Sequence, residues 1–216
     1  MNMPKKDEIT VVSRRPVTQA RGRARREKLL QAAAELLAEK DLDEITFNDV
    51  AKHAGIPKGS AYHFYANVMD LYSALTAEIG AELYAYLSDD PEEGPIRNWE
   101  DVIVAMCRRA EDFYLDRPAA RQLFLGGKTP PQYKRSDREN DKRIGLMLKS
   151  KLEKHFELPK IPKELDVFFH TMEIVDLMYC LSVIRHERIT EEMGEEAIRA
   201  GVAYLRTYLP EILPKA

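Results

Sequence analysis

Within six residues, Lys58, Gly59, Ser60, Tyr62 and His63 bring together an ammonium, a hydroxyl, a phenol and an imidazole. All four groups can donate hydrogen bonds, and on the outer side of a short helix they could enter a DNA major groove. Other chemistries have less to stand on. The sequence has no G-x-S-x-G, P-loop, H-E-x-x-H or paired-cysteine pattern. His53, His63, His155, His170 and His186 are scattered. His170 with Glu173 has the i, i+3 relation of carboxylate-bridged metal bundles, but the second such pair is missing. Gly126-Gly127 follows no strand, so a phosphate cradle there is poorly supported. No catalysis, metal or cofactor is expected.

The helices that would position those donors are marked by their ends. Thr46 and Asp49 form a T-x-x-D capping box opening one short helix, and Gly55 is placed to supply the positive φ of a tight turn after it. Pro57 suits the first turn of the next helix. Two helices of about eight residues are unstable alone, so their value lies in their mutual geometry. Ala51 is small where they would cross, Val50 and Ile56 can fill the space between them, and Ala61 is a small inward residue on the second. The spacing fits a helix-turn-helix, and a generic helical hairpin fits it as well.

Almost everything else also reads as helix. Residues 1–17 lack periodicity and end at Pro16, which predicts a mobile arm. Leu29, Leu30, Ala33, Leu36 and Leu37 recur at helical spacing within 22–39. Asn67 with Asp70 starts a longer helix to about Leu87, and Asn98 caps another running to Asp116. A short helix over 118–125 ends at Gly126-Gly127, a loop fills 126–133, and a polar helix occupies roughly 135–156.

The last two helices, 163–185 and 191–209, differ from the rest. The first is apolar on nearly every face around Val175, Leu177, Met178, Leu181 and Ile184. The second carries a stripe at Ile198, Val202, Leu205 and Leu209, with Ala197 and Gly201 small enough for close approach. With no period-2 alternation and no repeat, the fold class is all-α, with about nine helices.

Length and charge agree with such a chain. Its 216 residues are 44% hydrophobic and 32% charged, which suits one large or two small globular units. The net charge of −3 hides an asymmetry: residues 1–26 hold eight Lys or Arg against Asp7 and Glu8. A positive end on an acidic body is what a localised polyanion contact needs, although a solvated tail shows the same charge. Cys107 and Cys180 lie far apart, which fits a reducing cytoplasm. Residues 1–12 contain no apolar signal core. The most apolar stretch, 167–184, is interrupted by His170, Glu173 and Asp176, so it reads as a buried helix with no membrane contact.

The run ITFNDVAKHAGIPKGSAYHFYANVMDL resembles the N-terminal segment of the TetR family of bacterial transcriptional regulators. That segment typically reads T-x-x-x-[IV]-A-x-x-A-G-[IV], then G-[ST]-L-Y-x-[HY]-F, then [NS]-K-x-x-L. With RREKLLQAAAELLAEK before it, the resemblance covers about 22–72. It implies a flexible basic arm over 1–20, a helix-turn-helix domain over 21–66, and a helical effector-binding and dimerisation domain over 67–216. It also implies roles. Tyr62 and Thr46 should meet phosphates, Lys58 and Ser60 base edges beside Gly59, Asn48 an adenine, and His63 a phosphate or a thymine methyl. Two positions depart from the pattern: Val68 replaces the usual lysine, and Phe64, before Tyr65, replaces the usual His or Tyr. Each lost phosphate contact lowers affinity without changing sequence preference.

For the C-terminal body the resemblance implies an effector site and a homodimer through 163–185 and 191–209, binding palindromic double-stranded DNA, most simply as a repressor. A helix apolar all round must be covered on all sides, which independently supports the pairing. Phe113, Tyr114, Phe124, Met147, Phe168, Met172 and Met178 could line a cavity for a largely apolar effector, with His170, Glu173 or Asp176 as polar anchors. Ordinary core is the simpler reading of each ring, and Arg185 or Arg108 would be a sufficient partner for the acids. The alternative function is a DNA-binding or architectural protein with no effector.

Overall fold

The computed structural model describes residues 15–89, 95–129, 131–162 and 166–216, with 15–18 and 131–137 as backbone only. Nine α-helices occupy the described residues, with no strand among them: α1 Arg15–Leu37, α2 Phe47–His53, α3 Lys58–Ala61, α4 Val68–Ser88, α5 Trp99–Asp116, α6 Pro118–Ala120, α7 Pro131–His155, α8 Val167–His186 and α9 Glu191–Leu205. A 3-10 turn spans Leu42–Glu44, and a π-helical turn, Arg121–Leu125, continues α6. The all-α expectation holds.

Three boundaries move, two of them for one reason. The expected arm 1–20 is helical from Arg15 onward, and its remainder lies outside the described residues. The expected 126–133 loop already belongs to α7 from Pro131. Proline lacks only an amide that the first helical turn leaves unpaired, so Pro16 and Pro131 stand in the first turns of α1 and α7. At the other end, α9 stops at Leu205, and the chain reaches Leu209 through turns.

Packing follows the apolar faces. From α1, Leu29, Leu30, Ala32, Ala33, Leu36 and Leu37 are buried, where the helix meets α2 and α4. Helix α4 links two regions: Leu75 and Ile79 adjoin α1, while Leu83 and Leu87 face α5, α7 and α8. Trp99 opens α5 fully buried and donates its Nε1–H to the Pro210 carbonyl at 2.9 Å, tying α5 to the C-terminal segment. Helices α7 and α8 touch closely: a Cβ on Gly145 would lie 2.7 Å from the Phe169 nitrogen.

The last two helices pack on each other. The α9 stripe Ile198, Val202, Leu205 and Leu209 is buried inside its own subunit, and a Cβ on Gly201 would meet Val175 of α8 at 3.0 Å. Helix α8 leaves Leu177, Leu181 and Ile184 bare, 57%, 37% and 59% exposed; Val104, Leu115, Leu146 and Ile212 are exposed singly elsewhere. By length and a mean hydropathy of 1.6, α8 could also cross a bilayer; its other faces pack against α7, α9 and the π-helical turn.

Candidate nucleic-acid interface

The local geometry begins at Thr46. Its hydroxyl accepts from the Asp49 amide at 3.2 Å, and the Asp49 carboxylate accepts from the Thr46 amide at 2.9 Å, closing the capping box. The Thr46 hydroxyl proton is already engaged, donating to Asp49 Oδ2 at 2.6 Å. These bonds hold the Asp49 carboxyl below its ordinary pKa, the Thr46 hydroxyl contributing most and the backbone amide next. Gly55 then turns the chain at φ +64°. Val50, Ala51, Ile56 and Ala61 are buried between the two short helices.

With Ala61 pinned inside, the neighbouring side chains face out. Lys58, Gly59, Tyr62 and His63 are exposed and Ser60 is half-buried; Thr46 and Asn48 are exposed on α2. The Tyr62 ring sits edge-on to Phe47 with centroids 4.8 Å apart, which fixes the ring and leaves the side chain open to solvent. The Lys58 ammonium lies 5.9 Å from the centre of that ring. The Tyr62 ring thus joins α3 to α2 through Phe47, with Lys58 beside it.

One neighbour escaped the sequence reading: Arg25 of α1 donates to Ser60 Oγ at 3.4 Å, and Arg21, Arg23 and Arg26 are exposed on the same helix. The signal was the basic cluster itself, assigned in part to a mobile arm. A second tie, His53 Nε2 to Glu35 Oε2 at 2.7 Å, fastens the end of α2 to α1. It holds Glu35 below the usual carboxylate range, with the Gln31 bond assisting.

The predicted effector residues divide. A cavity of about 40 Å³ between α4, α5, α7 and α8 is lined by Met172, Asp176 and Tyr114 together with Met106, Asp141 and Tyr179. Phe113, Phe124, Met147 and Phe168 are buried outside that lining. Phe113 stacks with Tyr86 and Tyr114, at 5.7 and 5.9 Å, and Met147 sulfur faces the Ser88 hydroxyl at 3.9 Å. Phe168 lines a separate groove at the α7–α8 edge. Glu173 pairs with Arg138 at 3.4 Å, not with the expected Arg185 or Arg108; Arg108 is held by Glu111 and Glu195. His170 meets the Tyr204 hydroxyl at 3.2 Å. Among the described residues, no group of three His, Cys, Asp or Glu is arranged to hold a metal.

Comparison with known proteins agrees with the geometry. The model for bacterial regulatory proteins of the tetR family matches residues 29–75. Residues 29–75 thus carry the N-terminal segment of the TetR family. Two regulators from Pseudomonas putida, TtgW and SrpR, are each 28% identical to it over 89 residues, 41% of this chain. That match spans only 65% of TtgW and 41% of SrpR. A TetR-family regulator structure from Streptomyces coelicolor shares the fold, with TM-score 0.67 and 22% identity over 86% of this chain and 99% of that one.

The two departures from the common TetR pattern are structural. Phe64 is half-buried, with the Arg26 guanidinium 5.9 Å above its ring, and Val68 is half-buried at the start of α4. Both apolar side chains pack against the core.

Proposed function

We propose that this TetR-family regulator binds palindromic double-stranded DNA as a homodimer, acts as a repressor, and is released by a small, largely apolar effector. The observation that carries the reading is the outward set Lys58, Gly59, Ser60, Tyr62 and His63, held on a helix whose inner residue, Ala61, is fully buried. Lys58 and Ser60 read base edges, Tyr62, Thr46 and His63 meet backbone phosphates, and Asn48 reaches an adenine. To contact a phosphate, the Thr46 hydroxyl turns its proton away from Asp49. Residues 21–66 form the DNA-binding unit and 67–216 the effector-binding and dimerising body of a cytoplasmic protein.

The bare α8 stripe supports dimerisation, since the same stripe on a second copy would cover it. Two recognition helices in one rigid dimer suit two half-sites a helical turn apart. An effector between α4, α5, α7 and α8 would lie against Met172 and Asp176. Its room must be opened, because ligand sites usually enclose roughly 300–1,000 Å³; Met106 and Met172 are adaptable enough to move aside. Taking operator occupancy from nearly full to nearly empty needs a coupling of about 5.5 kcal/mol.

The test is selection of duplexes from a random pool, followed by footprinting. A palindromic site should emerge, and Lys58→Ala should relax preference at one base pair per half-site. If no sequence is enriched, or if Lys58→Ala and Tyr62→Phe leave affinity unchanged, the reading fails. The small size of the cavity favours one second reading, a DNA-binding regulator with no effector. Thermal-shift screening of the full-length protein with apolar small molecules separates the two.

A further inference from the structure

Helix α1 packs on α4 and α6, and among the attachments of the DNA-binding helices to the rest of the chain two stand out. One is the packing of Leu30 and Ala34 of α1 beside Leu75 and Ile79 of α4. The other comes from the π-helical turn and the loop after it. Gln122 spans three backbone groups of the segment leaving α1: its Nε2 donates to the Leu37 and Lys40 carbonyls at 2.8 and 2.7 Å, and its Oε1 accepts from the Leu42 amide at 2.8 Å. Both amide protons are used, and the carbonyls they satisfy are ones a helix C-terminus leaves unpaired. The Lys128 ammonium lies 2.8 Å from Asp41 Oδ2 and 2.8 Å from Asp43 Oδ1. Three residues beyond Asp43 stands Thr46, the cap of α2, so these contacts fix where the first of the two short helices begins.

The far side of the same turn belongs to the body. Leu123, Phe124 and Leu125 are buried, and the turn packs on α4, α7 and α8. Thr129 Oγ1 lies 2.9 Å from both the Gln122 and Gly126 carbonyls and shares its one proton between them, folding the loop back on the turn. A Cβ on Gly126 would lie 2.4 Å from the Gln122 oxygen, and one on Gly127 would lie 3.3 Å from Ile184 of α8. A π-helical turn holds an extra residue, and passing one residue along an α-helix turns a side chain by roughly 100°. Rewinding the turn would therefore swing Gln122 away from all three of its partners.

We propose that Gln122 and Lys128 form a detachable clasp that sets the angle of the DNA-binding helices on the body, and that rewinding of the π-helical turn opens it. Its regulatory meaning rests on the DNA-binding reading above; its mechanical content does not.

The experiment is a pulsed-EPR distance measurement on full-length protein. Spin labels sit at Lys52→Cys on α2 and Ser150→Cys on α7, in a Cys180→Ser background, with labelled chains diluted in unlabelled protein. The parent should give one narrow distance. Gln122→Ala with Lys128→Ala should broaden or shift it, with exchange of the Leu42 amide faster by about tenfold or more. Gln122→Glu, which cannot donate to the two carbonyls but still accepts from the Leu42 amide, should change the distance while raising Leu42 exchange less than the double alanine variant does. Gly126→Ala should release the clasp with both its side chains intact, because the added methyl opposes the π-helical form.

Lys128→Ala alone removes only an exposed contact, so it keeps the test valid if Gln122 variants do not fold. It should shift the distance part of the way. An unchanged distance and unchanged Leu42 exchange in every folded variant overturn the clasp. A parent-like Gly126→Ala overturns the part played by the turn. On a duplex selected with the parent protein, clasp variants should bind at least about fivefold more weakly. Should the parent select no duplex, the DNA-binding reading falls, while the EPR result still decides the clasp.

Discussion

At the scale of single residues, the two glycines of the helix-turn-helix do opposite jobs. Gly55 is required by the fold: its φ of +64° would cost an alanine roughly 1–2 kcal/mol. Gly59 is not, since its backbone is ordinary and a Cβ there would meet nothing within 4 Å. Gly59→Ala should therefore stabilise the protein by up to about 1 kcal/mol, because glycine inside a helix is disfavoured. If the open space is where a DNA backbone approaches, the same variant should lose affinity for DNA. Melting temperature and a binding isotherm on one sample decide it: higher stability with unchanged affinity would remove Gly59 from the interface. The cap beside it predicts a pH effect. The carboxyl of Asp49 titrates below the ordinary aspartate range when folded. Its contribution is thus complete above the unfolded pKa of about 4 and fades as pH falls through the lower, folded value. The protection of the α2 amides, taken relative to their intrinsic exchange, should hold from pH 8 down to about 5 and fall only in stronger acid; Asp49→Asn should abolish that acid step.

At the scale of helices, what the sequence made legible was what is local. Thr46–Asp49, Asn67–Asp70 and Asn98–Asp101 all form the caps their spacing implies, because a cap involves residues three apart and no distant partner. Pro16 and Pro131 misled because proline both interrupts a helix and begins one, and the choice depends on the residues C-terminal to it. The direction of the α9 stripe, and which core side chains border a void, are properties of several helices at once. Periodicity marks Phe113 and Tyr114 alike as core; only the crossing of α4, α5, α7 and α8 puts Tyr114 beside the cavity and Phe113 behind it. That crossing leans on Gly145, whose absent side chain lets α7 approach the α8 backbone. Gly145→Ala should force the helices apart and cost about 1–3 kcal/mol, as overpacking generally does. Urea denaturation followed by the fluorescence of Trp99 measures it. An undiminished midpoint would mean that the α7–α8 contact is softer than its 2.7 Å clearance implies.

At the scale of the whole molecule, the proposed palindromic reading makes DNA binding and assembly one question, because one recognition surface per chain would read only half a palindrome. Leu177, Leu181 and Ile184 give that question a handle. They are between 37% and 59% exposed in the single chain, so charges there need not disturb its core, whereas neighbouring Val183 is buried and belongs to the fold. Leu177→Glu with Ile184→Glu should yield a folded monomer by sedimentation, with the emission of Trp99 unchanged. The melting temperature of the parent should rise with protein concentration and that of the variant should not, since only the parent gains stability from association. Each variant chain keeps Lys58, Ser60 and Tyr62, so a single half-site should be bound as before. The full palindrome should be bound roughly 10²–10⁴-fold more weakly, because the second contact is no longer intramolecular. A variant that stays dimeric would move the interface to another surface. A monomeric variant with full palindrome affinity would break the link between the α8 stripe and operator recognition.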